Sequence, residues 1–416
     1  MKHNILLALT VGVTLPIALA ACAASPAATD SPDPAATEPA GHGDIAGATE
    51  EAEPQLALLT VTTTGETALL DLLDGGERSI GAIQAPQRVA TDGRYVFGDS
   101  GAGVTVTDSG AWTWDHGDHF HYYSAEPAQL GTVAGDGAAT VTGGALSTAG
   151  STGVFFAGSG EAVLLDNAAL HAGSIVERFR VTRTPHTGVA APLGDGAVVS
   201  ELAAGGGSAL LRVLDGSGEP SDTTAECDDP RGATTTRAGL VVLCADGAVV
   251  ATADGKAATL TTVPLPAGGA HAPALLDGRT GRPLLAGAAT APDGSSGSWL
   301  FDARSLAWNW IASDSTLIRA TAVGDDDQHI VALDDSGSVR VFRDGAEIAA
   351  TAPLLDQADL ETAALAKISL TVDASRAYLN APALGTVFEI DFADNARIAR
   401  TLVPATAPDF VAVVGR

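Results

Sequence analysis

Basic residues are scarce in this chain. Its 416 residues hold 22 Lys and Arg against 50 Asp and Glu, a formal net charge of -28. Nucleic-acid binding needs a basic footprint, so this balance excludes it. The same charge disfavours docking of a folded body on anionic lipid headgroups. It attracts cations and basic partner surfaces weakly and in a salt-dependent way. Long apolar runs are also rare: beyond the N-terminus nothing approaches the roughly 20 apolar residues of a membrane-spanning helix. Helix-forming sequence is nearly missing. Over 55–416 only Leu355–Lys367 is both free of glycine and helical in composition. Catalytic signatures are absent too. There is no His-Glu-x-x-His, no nucleophile elbow and no haem-attachment cluster. Asp is so common in turn-like segments that no carboxylate pair stands out for glycoside chemistry. Nothing nominates a catalytic base, and a non-enzyme is expected.

The N-terminus reads as an export signal. Lys2 and His3 form a short charged region, Ile5 to Leu19 an apolar one, and Leu19-Ala20-Ala21-Cys22 looks like a lipobox. The expected layout is a signal peptide at 1–21, a lipid-bearing Cys22, and an acidic Ala/Pro/Thr tether over 22–54 that cannot build a core. A folded domain follows at 55–416. The mature protein is expected outside the cytoplasmic membrane, periplasmic or at the cell surface, touching it only through the lipid. The tether carries one histidine, His42. The two remaining cysteines, Cys227 and Cys244, suggest a disulfide in an exported chain. A Cys/His metal site is the alternative.

Residues 55–416 are short apolar or alternating runs broken by Asp-Gly, Gly-Ser and Asp-Ser turns, which predicts an all-β fold. A repeat is traceable. Strands rich in small residues open each unit near 86, 138, 186, 232, 271, 318, 368 and 409, about 46 residues apart. A four-stranded unit of that period is the signature of a β-propeller. Eight starts predict eight blades, or seven if one unit is a long insertion. The last strand, Phe410–Val414, has no room for partners after it, and Leu56–Thr62 has no inner strand before it. Joining the two closes the ring and removes open edges. A stacked-sheet solenoid is the weaker alternative.

The chain has nine histidines, and three of them fall in Asp115-His116-Gly117-Asp118-His119-Phe120-His121-Tyr122-Tyr123. Imidazole and carboxylate together suit borderline ions such as zinc. His119 and His121, two apart, share a face if the segment is extended. The segment is expected to lead back toward the propeller axis. His186 and His271 each open a unit and so stand near one mouth of the channel. The candidate ligands are His119, His121 and His186, with His116 and Asp118 beside them and His271 and His42 as further candidates. Tyr122, Tyr123 and Asp115 are placed to pack on the site or hold its ligands. His329 reads as an ordinary strand residue, and His171 carries no signal. Trp112, Trp114, Trp308 and Trp310 are read as outer-strand aromatics packing between blades.

One block carries a resemblance. Asp108-Ser109-Gly110-Ala111-Trp112-Thr113-Trp114, continuing through Asp115–Tyr123 to Glu126-Pro127, resembles the secreted β-propeller zinc metallochaperones of the Azt-type ABC transport system. Weaker likenesses lie at Pro185–Ala190 and at Cys227 with Cys244-Ala245-Asp246-Gly247. The resemblance implies a chaperone, expected to be a monomer, that binds one zinc ion and hands it to the zinc-binding solute-binding protein of the importer. It draws Glu126 into the candidate set. Two departures stand out. Arg231-Gly232 occupies the place where the family tends to have His-Gly, and the family's histidine-rich N-terminal arm is reduced to His42. The residues alone leave two rivals open: a propeller that binds a protein without metal, and a metal-dependent propeller hydrolase.

Overall fold

The computed structural model describes residues 45, 47–115, 119–203, 207–255 and 257–416. The signal peptide, Cys22, His42, His116 and Asp118 lie outside the described residues.

Eight sheets follow one another around the chain as the blades of a propeller. In blade 1 the C-terminal strand Phe410–Val414 is innermost and pairs antiparallel with Ala57–Val61, followed outward by Glu66–Asp71 and Glu77–Ala82. This closure sets Leu59 opposite Ala412 and joins the ends of the domain in one sheet. Blade 2 runs from Arg88–Thr91 through Tyr95–Asp99 and Gly103–Asp108 to Ala128–Ala134. The inner strands of blades 3, 4, 5, 7 and 8 are Ala139–Gly143, Ala190–Leu193, Gly232–Thr236, Leu317–Ala322 and Leu370–Val372. These starts agree with the repeat.

Blade 6 departs from it. Its three full strands are Leu284–Thr290, Ser296–Asp302 and Ala307–Ser313. The inner strand expected from 271 is reduced to a bridge between Asp277 and Ala286. Pro273 and Pro283 remove ladder donors there, and Gly281 takes a left-handed φ of 72°.

The turns explain much of the acidity. Asp334 Oδ1 accepts from the amides of Ser336 and Ser338 at 3.0 and 2.9 Å. Asp215, Asp293, Asp302 and Asp373 cap their own turns in the same way. The core is built between neighbouring blades. Val331, Leu333, Val339 and Val341 of blade 7 pack on Leu370, Leu379 and Ile390 of blade 8. Between blades 4 and 5, Val198 and Leu211 meet Leu240, Val242 and Val249. Cys227, just beyond the outer strand of blade 4, is bonded to Cys244 at the end of the second strand of blade 5, with a Cα–Cα distance of 5.1 Å.

Among the described residues helix is confined to short single-turn segments. Thr362–Leu365 falls within the stretch of helical composition. Asn167–His171 is capped by the Asp166 side chain, which accepts from the Ala168 and Ala169 amides. Among the described residues no helix is long and apolar enough to cross a membrane.

Candidate metal centre

The histidine-rich segment is not a connection back to the axis. It is a β-hairpin inserted between the third and outermost strands of blade 2, with Ala111–Asp115 paired to Phe120–Ser124. Its base is pinned by Gly110, which has φ 73° and whose added Cβ would lie 2.3 Å from the Ala125 carbonyl oxygen. The Ala125 amide donates to the Gly110 carbonyl at 2.6 Å. A third strand, Thr49–Glu51, pairs with the free side of Phe120–Ser124. The folded structure therefore reaches into the stretch expected to be tether.

Register decides which side chains meet. Trp112 lies opposite Tyr123, Trp114 opposite His121, and Glu50 opposite Tyr123, so these residues share one face of the small sheet. Trp112 and Tyr123 are buried and stacked, with ring centroids 5.1 Å apart. The Arg94 guanidinium lies 3.8 Å over the Trp112 ring. Arg94 itself donates to both Asp108 oxygens at 3.0 and 2.7 Å and to His171 Nδ1 at 2.8 Å. Burial, and then the Arg94 charge, hold the His171 pKa below its usual value, which keeps its Nδ1 an acceptor. Trp112 and Trp114 thus fasten a hairpin and do not sit in an outer blade strand. Trp308 is in the outer strand of blade 6, where it packs on Trp299 and Phe301.

The hairpin reaches over the axis. Thr113 Oγ1 donates to the Gly415 carbonyl of blade 1 at 3.1 Å. Asp115 pairs with Arg237, in the turn that follows the inner strand of blade 5. That turn and the Asp92–Arg94 turn of blade 2 mark the face on which inner strands end. A cavity of about 470 Å³ opens beside Arg237, between blades 3, 4 and 5.

Two imidazoles converge on this hairpin. His119 Nε2 and His121 Nε2 are 2.9 Å apart. Two nitrogens bound to one tetrahedral zinc, each at ~2.0–2.1 Å, are about 3.3 Å apart, so opening the pair by a few tenths of an ångström admits the ion. Glu50 Oε1 lies 2.6 Å from His121 Nδ1. A carboxylate on the far nitrogen of a metal-bound imidazole fixes its tautomer and ring orientation. Tyr123 stacks beside His121 at 6.2 Å, and Trp114 leans on it at 5.9 Å. Tyr122 lies on the opposite face, across from Thr113 and Glu51. His121 is 8% exposed, while Phe120 beside it is 50% exposed and stands out from the hairpin. Among the described residues no group of three or more His, Cys, Asp or Glu surrounds a common point.

The remaining candidates are elsewhere. His186 precedes the inner strand of blade 4, on the face where inner strands begin, whereas the hairpin covers the face where they end. Its Nδ1 lies 2.7 Å from the Thr184 carbonyl, its Nε2 lies 2.9 Å from Ser200 Oγ, and its ring packs on Phe155. The structure does not bring it to His119 and His121. His271 is exposed on the same side as His186, and its carbonyl accepts from Trp299 Nε1 at 3.0 Å. Glu126 pairs with Arg78 at 2.9 Å on the outer strand of blade 1. His329 is buried against Phe392 and bonded to Asp325 at 2.6 Å, an ordinary structural histidine. Arg231 donates to the Ala272 and Pro273 carbonyls at 3.3 and 3.0 Å and so holds the irregular inner edge of blade 6. Glu50 was missed because its neighbours have the composition of a tether.

The fold matches two solved structures of AztD from Citrobacter koseri. The apo form superposes with a TM-score of 0.70 at 18% identity, covering 87% of this chain and 98% of that one. A second AztD structure gives 0.70 at 19% identity with the same coverage. The chain shares the AztD propeller fold. A putative 6-phosphogluconolactonase from Bacteroides fragilis superposes more loosely, with a TM-score of 0.42 at 10% identity. No family model matches the chain, and no curated protein matches it in sequence.

Proposed function

We propose that this protein is an extracytoplasmic zinc chaperone of the AztD type, exported, lipid-anchored through Cys22, and delivering zinc to the solute-binding protein of an ABC importer. The observation that carries this reading is the convergence of His119 Nε2 and His121 Nε2 at 2.9 Å, with Glu50 on the far nitrogen of His121. His119 and His121 are the core ligands, and His116 and Asp118, their close neighbours in sequence, are the further ligands of this reading. Zinc is cargo here, bound and passed on unchanged. The pair lies at an exposed hairpin over the propeller mouth, where a second protein reaches it. Transfer then proceeds by exchange, with the imidazoles replaced one at a time by ligands of the acceptor. Neutral imidazole is the binding form, so affinity falls on acidification.

The test is transfer itself. Zinc-loaded protein is mixed with the zinc-binding solute-binding protein, and the rate is compared with release into a chelator. Delivery that outruns release supports direct handoff; equal rates leave only buffering. The cavity beside Arg237 favours a second reading, a propeller that recruits a protein partner without metal. That reading predicts partner binding unchanged when His119 and His121 are both replaced by Ala.

A further inference from the structure

The strand Thr49–Glu51 belongs to no blade. Its sheet partner is the hairpin strand Phe120–Ser124, against which three residues pair: Thr49 with Ser124, Glu50 with Tyr123 and Glu51 with Tyr122. Side chains alternate across it. Glu50 faces Tyr123 and His121, while on the other face Ser124 Oγ donates to Glu51 Oε1 at 2.5 Å. An edge strand this short adds little stability of its own and belongs to the part of a fold that opens most readily. Yet it carries the carboxylate that holds His121, from a position 71 residues away in sequence.

With His121 Nε2 turned to His119, the Nδ1 proton is donated to Glu50. An imidazole held this way is a better donor to a metal, and its ring cannot swing away. Glu50 is still 44% exposed, so its hold on the ring depends on the strand staying paired.

Resting on the zinc reading, we propose that Thr49–Glu51 is a detachable clasp and Glu50 a positioning residue for the ion. With the strand seated, His121 is fixed and zinc is retained; with the strand lifted, the ring is free and zinc departs faster. The end of the tether thereby regulates release.

The experiment measures zinc dissociation from the full chain into excess chelator, for wild type, Glu50→Ala, Glu50→Gln and Glu51→Ala. Glu50→Ala is expected to speed release by about ten- to a hundredfold, the usual effect of removing such a carboxylate. Glu50→Gln keeps an acceptor without the charge and falls between. Glu51→Ala, with its contact on the other face, changes release least. Cobalt(II) bound in place of zinc reports the geometry directly, and its visible bands shift in Glu50→Ala. Wild-type release rates and an unaltered cobalt spectrum in Glu50→Ala, with zinc still bound by the wild type, overturn the clasp and leave the chaperone reading standing. A wild type that binds no zinc removes both.

Discussion

Asp92 lies in the turn after the inner strand of blade 2. Its Oδ1 accepts from the Arg94 and Tyr95 amides at 2.9 and 2.8 Å. Its Oδ2 is sealed from solvent without a hydrogen-bond partner. Burial raises its pKa to about 6 from 3.8, against the lowering effect of those amides and of Arg94. Between these two values the folded chain binds more protons at this site than the unfolded one, so stability falls as pH rises. Below pH ~4 both forms are protonated and the cost vanishes; above pH ~6 it is complete. Asp92→Asn keeps the Oδ1 acceptor and never ionises. Its melting temperature relative to wild type should therefore improve from pH 4 to pH 7. The gain is worth about 1–2 kcal/mol, discounted because the residue is part-exposed. A difference that stays constant across that range would contradict the assignment. At this scale the paired histidines were legible, because residues two apart in an extended segment share a face, and His119 stands just before the strand that carries His121. Glu50 was not, since a long-range contact leaves no local mark in an acidic, alanine-rich stretch. His186 misled for a related reason: its place at a strand start was read correctly, but the hairpin proved to sit at the other end of the strands.

The hairpin is a separable element. Gly110 and Ala125 are already hydrogen-bonded at 2.6 Å, so the chain can pass from one to the other without it. Deleting 111–124 should leave the blades intact and abolish zinc binding. The stability loss should be about 3 kcal/mol, since Trp112 leaves Arg94 and His171 uncovered. Circular dichroism with a zinc titration checks both parts. Retained zinc binding would place the metal elsewhere. Strand starts were legible to within a few residues because Asp-Gly turns and small inner-strand residues recur with the repeat. Proline and glycine hid the reduced inner strand of blade 6. The hairpin was hidden differently: an insertion between the third and fourth strands lengthens that unit, but by no more than the uneven spacing of the other starts conceals.

For the whole molecule, closure is what makes the sheets a domain. The pairing of Ala57–Val61 with Phe410–Val414 leaves blade 1 built from both ends of the fold. The Cys227–Cys244 bond closes a loop of 17 residues and joins blade 4 to blade 5, a cross-link worth about 3 kcal/mol. Ring closure and the cysteine pair were both legible, since the sequence leaves one inner strand without partners at one end and partners without an inner strand at the other. A net charge of -28 keeps the surface hydrated and attracts cations in a salt-dependent way. Under the proposed function the propeller is a rigid base for one hairpin and the strand paired to it, and that proposal rests on the hairpin holding zinc. The deciding measurement is zinc stoichiometry and competitive affinity of the full chain beside the His119→Ala/His121→Ala double variant. The strand that carries Glu50 must be present, so a fragment beginning at residue 55 does not serve. One tightly bound zinc per chain, lost in a double variant that remains folded, is the predicted result. Zinc bound equally by both, or by neither at neutral pH, would contradict it.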